Sequence, residues 1–348
     1  MSQLRVAIDS MRFDHLARLT DQRGVFEHAL GVTPRLDHGY CLDDVARALA
    51  VLVREPTPTR LVASLTETCL RFVEAAITPD GLAHNRMDVD GRWTDDPALG
   101  DWWGRAIGAL GLAAALAPLP FTQARAMRLF MVAAAQRSVE VRSMAFAIPG
   151  VVELLRVRPG SQVARHLLGD AVDVIPYAAA PVDAARGWDW LEPRLRYGNG
   201  SLPDALLAAG DAMGDPRLIE HGLVALSALL ALETRNGHLS VTGPAGRGPG
   251  ETDVQFDQQP IEVAAIADAC ARAFVLTGDP QWRDGVESAW AWFLGDNDSG
   301  VAMVDELGGG YDGLEPLGRN DNRGAESTLA ALSTFQRARE VGVGALPR

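Results

Sequence analysis

Apolar positions recur with the period of a helix along most of the chain, and the segments they mark are of two kinds. The run 280–294 places Trp282, Val286, Ala289, Trp290 and Phe293 on one stripe with Arg283, Asp284 and Glu287 opposite, which predicts a helix on the outside of a layer. The run 261–277 is apolar nearly all round, with Glu262, Asp268 and Arg272 its only charges, which predicts a helix buried within a double layer. The pattern repeats. Gly214-Asp215-Pro216 and Gly278-Asp279-Pro280 each open a helical run that closes on a Gly-containing turn, at 234–237 and 296–300, and a weaker copy runs from Glu55-Pro56-Thr57-Pro58 to Thr78-Pro79-Asp80-Gly81. Taking the buried helices to begin near 43, 101, 142, 201, 259 and 324 gives six helical hairpins, a spacing of the kind repeated supersecondary units show. Twelve long helices in two concentric rings, joined by short β-hairpin loops, make an all-α (α/α)6 toroid. One domain over 1–348 is expected, because no Pro-, Gly- or Ser-rich linker divides the chain.

Polar and aromatic residues concentrate just before, or in the first turn of, the buried helices. Asp37-His38-Gly39-Tyr40-Cys41-Leu42-Asp43-Asp44 leads into the first, Asp101-Trp102-Trp103-Gly104-Arg105 into the second, and Asn199-Gly200-Ser201-Leu202-Pro203-Asp204 into the fourth. Asp257-Gln258-Gln259-Pro260-Ile261-Glu262 precedes the fifth, and Asn320-Asp321-Asn322-Arg323-Gly324-Ala325-Glu326 the sixth. A ring of hairpins would gather these five clusters at one mouth, with the Gly-dense stretches 243–250 and 308–313 as rim loops, and so build a pocket for a polar ligand.

Composition narrows the chemistry. The 348 residues are 47% hydrophobic, enough for a sizeable core, and the net charge of −13 argues against binding nucleic acid. All 32 basic residues are Arg, which excludes a P-loop lysine, a pyridoxal Schiff base and a lysine aldolase. Cys41, Cys69 and Cys270 have no zinc-type spacing and are an odd number, so free thiols are expected. Asp296-x-Asp298-x-Gly300 has its Gly at the wrong place for a calcium loop and reads as a turn. Neither a metal nor a cofactor is expected. Residues 1–13 carry Arg5, Asp9 and Arg12 and lack an apolar secretory core, and no segment has the roughly 20 apolar residues of a membrane span, so a soluble cytoplasmic protein is expected.

Several motifs together resemble a group of (α/α)6 glycosidase-like proteins, often fused to or encoded beside glycosyltransferases and mannoside phosphorylases. They are Thr20-Asp21-x-x-Gly24 with Glu27-His28-Ala29, Gly39-Tyr40-Cys41-x-Asp43-Asp44-x-Ala46-Arg47, Asp101-x-x-Gly104-Arg105-Ala106, Trp188-x-Trp190 and Tyr197-x-Asn199. Leu202-Pro203, Phe256-Asp257-Gln258-Gln259-Pro260-Ile261-Glu262, Asp312-Gly313-Leu314 and Asn320-x-Asn322-x-Gly324-Ala325-Glu326 continue the match. The departures are Val45, where Asn is expected, and Gly198, where Asp is expected. The resemblance implies carbohydrate chemistry and a glycosyltransferase of the same pathway as a partner.

The residue types fit a saccharide. Glycoside hydrolysis needs one carboxylic acid to protonate the leaving oxygen and one carboxylate as base or nucleophile. Asp44, Asp101 and Glu262 are the candidates for catalysis. Asp43 and Asp44 open a helix, where one is expected to cap it while the other faces the pocket; Asp43 is read as the structural one. Asp101 adjoins Trp102 and Trp103, whose faces suit either a sugar or the core. Glu262 sits where a capping box would place it, so structural and catalytic roles both stand. The expected substrate contacts are His38, Tyr40, Asp43, Trp102, Trp103, Arg105, Asn199, Asp257, Gln258, Gln259, Asp312, Asn320, Asn322 and Glu326. The expected activity is an inverting glycoside hydrolase acting on an oligosaccharide or glycoside. A sugar epimerase or lyase using His28, His38 and Tyr40, and a non-catalytic glycan-binding partner of a glycosyltransferase, are the alternatives.

Overall fold

The computed structural model describes residues 12–177 and 188–343, and its secondary structure is almost all helical. The N-terminal stretch read for a secretory core lies, up to residue 11, outside the described residues. Cα distances divide the chain into two compact units, one made mainly of 16–175 and the other mainly of 188–343.

In the first unit three helical hairpins follow one another. They are α2 (Leu42–Val53) with α3 (Arg60–Ala76), α4 (Asp101–Leu116) with α5 (Pro120–Ala133), and α6 (Val141–Val157) with α7 (Gln162–Val174). Helix α4 packs between α2 and α6, and α3, α5 and α7 each pack on their own hairpin partner. The α4–α6 contact is backbone against backbone. A Cβ on Gly150 would stand 1.8 Å from the Gly108 carbonyl oxygen, and one on Gly104 would stand 1.9 Å from that of Ser143. Helices this close cannot carry side chains at the crossing, which is why small residues recur along α4.

The second unit contains α8 (Ser201–Met213), α9 (Pro216–Glu233), α10 (Pro260–Thr277), α11 (Pro280–Phe293) and α12 (Ala325–Glu340). Helix α10 packs against α9, α11 and α12 and buries residues on all its faces. Helix α11 buries Trp282, Val286, Ala289, Trp290 and Phe293 and exposes Asp284 and Glu287, so its apolar stripe is the one read from the sequence.

The six buried helices begin at Leu42, Asp101, Val141, Ser201, Pro260 and Ala325, each within one residue of expectation. Twelve long helices are not all present among the described residues: eleven have twelve or more residues, and α1 (Asp14–Arg18) has five. The second helix of the sixth hairpin is the missing one, since α12 ends three residues before the last described position. Among the described residues there are also a 3-10 turn, Leu36–His38, and four two-residue antiparallel pairs. Three are tight hairpins: β1–β2 (Ala29–Leu30, Thr33–Pro34), β5–β6 (Thr234–Arg235, His238–Leu239) and β7–β8 (Leu314–Glu315, Gly318–Arg319). The fourth joins β3 (Tyr40–Cys41) to β4 (Arg86–Met87). Among the described residues no helix is long and apolar enough to cross a membrane. Cys41, Cys69 and Cys270 are buried free thiols.

Candidate active site

The first unit assembles its polar groups at the start of α2. Cys41 occupies the N-cap position with extended backbone and makes no side-chain cap. The orphan N–H groups are met from outside: Leu42 donates to the Asn85 carbonyl at 2.8 Å and Asp43 N–H to Asn85 Oδ1 at 3.2 Å. Asp95 in turn holds this segment, accepting the backbone N–H of Asn85 at 2.6 Å. Neither Asp43 nor Asp44 is therefore the cap that the sequence suggested, and both carboxylates are available for other contacts.

Those contacts are arginines. Arg47, one turn along α2, spans the pair, with Nη2 2.7 Å from Asp43 Oδ2 and Nη1 2.7 Å from Asp44 Oδ1. Arg105 of α4 stands with Nε 2.8 Å from Asp43 Oδ1 and its guanidinium 3.6 Å from the centroid of the Phe146 ring. The two carboxylates lie with oxygens within 4.8 Å of each other. Burial works against a charge on Asp43, but Arg105 and Arg47 outweigh it and hold the carboxyl below its ordinary value. Asp44 is 4% exposed at its side chain against 20% for Asp43, and the Cys41 thiol donates to its Oδ2 at 3.2 Å. Burial first, and then the charges of Asp44 and Glu27, push that thiol well above its ordinary pKa, so it stays a donor.

Glu27 adjoins this pair, within 4.8 Å of Cys41 Sγ and an Asp44 oxygen, and is ion-paired to Arg86. His28 and His38 meet edge to face with ring centroids 4.6 Å apart. Desolvation is the largest influence on His28 and lowers its pKa, opposed by Glu27 and reinforced by His38, Arg35 and Arg86. Tyr40 is not a surface group. It is 1% exposed, its hydroxyl donates to Asp21 Oδ2 at 2.7 Å, and burial with that bond raises its pKa beyond the range of a proton carrier. Trp103 is fully buried and donates to the Gly81 carbonyl at 3.1 Å, which makes it a core residue with no face for a sugar. Trp102 is half-buried, donates to the Ala83 carbonyl at 2.8 Å and covers Gly100. Asp101 opens α4 at its first position, half-buried.

The second unit has its own cluster. Glu262, in the first turn of α10, accepts hydrogen bonds from the backbone N–H of Gly198, from that of Asn199 at 3.1 Å and from Asn199 Nδ2 at 3.0 Å. This fastens the 196–200 turn to α10, so the buried Asn199 is a strut. Gly198 has φ 57°, a left-handed conformation that glycine adopts without strain. Glu233, at the end of α9, was not read from the sequence. It is 1% exposed, and its carboxyl accepts Thr242 N–H at 2.6 Å. Burial raises its pKa to about 7 against the pull of Thr242, and the nearby charge of Glu262 adds to the rise.

Gln258 is fully buried, donating to Asp298 Oδ2 at 2.7 Å and to the Gln255 carbonyl at 2.9 Å. Asp298 also accepts from His238 Nε2 at 3.0 Å, a dyad that no sequence spacing announced. Burial opposes the charge on Asp298, and its bonds from Ser240, His238 and Gln258 prevail and lower its pKa. Asp257 is exposed with φ 58°, and Gln259 is half-buried as the N-cap of α10. Asp312 accepts from Asn322 Nδ2 at 3.0 Å and Asn320 Oδ1 from Asn322 N–H at 3.2 Å, so these three stitch the β7–β8 hairpin. Glu326 lies half-buried in the first turn of α12.

No protein-family model matches the sequence, and no curated protein does either. Solved structures do match across nearly the whole length. A sugar epimerase from a ruminal bacterium is 15% identical over 97% of this chain and 98% of that one, with a TM-score of 0.73. Cellobiose 2-epimerase from Spirochaeta thermophila is 13% identical over 98% and 96%, with a TM-score of 0.70. An inactive α-1,6-mannanase variant from Salegentibacter, with two consecutive aspartates changed to asparagine and α-1,6-mannotriose bound, is 12% identical over 98% of each chain, with a TM-score of 0.64. The chain therefore has the (α/α)6 toroid fold shared by sugar epimerases and glycoside hydrolases.

Proposed function

We propose that this chain is a carbohydrate-active enzyme, a glycoside hydrolase whose reacting carboxylates are Asp43 and Asp44. The observation that carries the reading is the pair itself: two carboxylates with oxygens within 4.8 Å, freed from helix capping and bridged by one guanidinium. The mannanase with the same fold is inactive when two consecutive aspartates become asparagine, and an adjacent pair here supports a like requirement. Arg47 and Arg105 are engaged by Asp43 and Asp44, and Arg86 by Glu27, so these guanidiniums meet the protein's own carboxylates, which suits a neutral sugar over a uronic acid or sugar phosphate. The short separation favours retention of anomeric configuration, since inverting enzymes hold their carboxyls roughly 6.5–9.5 Å apart. Asp43, held ionised by two arginines, is the nucleophile, and Asp44 the acid and base. This pairing replaces the inverting arrangement of Asp44 with Asp101 or Glu262.

A second reading, sugar epimerisation, rests on His238 and Asp298. A carboxylate on one ring nitrogen orients the imidazole for proton transfer at the other, as a general base requires. It replaces the version built on His28, His38 and Tyr40, in which Tyr40 is sealed in the core. One experiment separates the readings: incubation with neutral manno- and gluco-oligosaccharides in D2O, with and without phosphate, followed by NMR. Hydrolysis with a retained first-formed anomer is expected. Deuterium at a ring carbon without chain shortening would establish the epimerase. Binding without turnover would leave a glycan-binding partner of a glycosyltransferase.

A further inference from the structure

The segment before α2 gathers three metal-binding side chains to which the hydrolase reading gives no catalytic role. The β1–β2 hairpin reverses the chain after His28, the Arg35 N–H bonding the His28 carbonyl at 2.8 Å, and the 3-10 turn Leu36–His38 then returns His38 to the His28 ring. Glu27 completes the group, with Oε1 3.8 Å from His28 Nε2. One ligand atom from each of Glu27, His28 and His38 lies within 4.8 Å of the others. The far carboxylate oxygen, Oε2, is the one Arg86 takes, so the guanidinium orients Glu27 with Oε1 toward the imidazoles. That is the role an outer partner plays around a bound metal.

We propose that Glu27, His28 and His38 form an open site for a divalent transition-metal ion of the zinc class. Two imidazoles and one carboxylate are borderline ligands that suit zinc, cobalt or nickel and do not suit calcium or magnesium. Both imidazole side chains are one-third exposed, so water completes the coordination and the ion has a path in. All three ligands come from the one short segment 27–38. The proposal does not depend on what Asp43 and Asp44 do.

The test uses untagged full-length protein, stripped with a chelator and titrated with zinc in a calorimeter, with cobalt absorption as a second readout. One ion per chain is expected, together with a higher melting temperature when zinc is present. His28→Gln and His38→Gln should each weaken binding at least tenfold, and Glu27→Gln should weaken it with both imidazoles intact. Circular dichroism establishes that each variant is folded, and the Glu27 variant serves if a histidine variant is not. No binding by folded wild type at micromolar zinc would overturn the proposal. So would one-to-one binding that survives His38→Gln and is lost in Cys41→Ser, because the ion would then sit on Glu27, Cys41 and Asp44.

Discussion

Single side chains here divide into those with a chemical task and those that hold a turn. Asp43→Asn and Asp44→Asn should each lower turnover roughly 10²- to 10⁴-fold, the range of one acid–base group, with the circular dichroism spectrum unchanged. Asp101→Asn should lower it far less, because the proposed reacting pair is Asp43 and Asp44, with Arg105 paired to Asp43. Steady-state kinetics of the three variants on one cleaved oligosaccharide decides, and equal losses at Asp43 and Asp101 would refute the pairing. Glu233 offers a pH signature. Its folded pKa, about 7, lies above the ordinary 4.5, so the folded state binds the proton more tightly than the unfolded chain does. The group costs nothing below the unfolded value, and the cost grows as pH rises from about 4.5 to 7, reaching about 3 kcal/mol. Glu233→Gln removes the charge that incurs it. Urea unfolding of wild type and variant should therefore show the variant gaining in relative stability between pH 4 and pH 8, and a constant difference would show that Glu233 is not held protonated.

Helix contacts set the positions of those side chains. The crossing of α4 and α6 leaves no room at Gly108 or Gly150, so Gly150→Ala should destabilise by about 1 to 3 kcal/mol or more through overpacking. Because Arg105 stands on α4, the same change should disturb its pairing with Asp43 and lower activity. Gly169, in α7, has open space around its Cα, with nothing within 4 Å of where a methyl group would stand, so Gly169→Ala should stabilise by up to about 1 kcal/mol through helix propensity alone. Denaturant midpoints of the pair test the packing directly. Two losses of similar size would mean that the backbone contact at Gly150 is not what sets the cost.

The whole molecule carries a net charge of −13 without a lysine, and that charge repels polyanions. At pH 7 and low salt the protein should bind an anion exchanger and pass through heparin unretained; retention on heparin would point to a basic face and would weaken the neutral-sugar reading.

The hydrophobic period and the Pro and Gly punctuation determined the helices, because both act through neighbours one turn away: all six buried helices start within a residue of the expected place, and the α11 stripe is the expected one. The same local signals marked the clusters at α2, α4, α10 and α12 as places where polar groups collect. They could not apportion roles within a cluster. Which of Asp43 and Asp44 is the more buried depends on Asn85, forty residues away, satisfying the helix start, and on Arg105 arriving from α4. Trp102 and Trp103 are adjacent and chemically alike in sequence, and only packing against the 81–83 segment decides which is core. Glu233 closes α9, His238 begins β6 and Asp298 lies in a turn, and their chemistry comes from burial and from partners 9 to 60 positions distant. Periodicity is written in the order of residues, whereas desolvation and ion pairing belong to positions in space, so the sequence determined the helices and only tertiary structure decided the site.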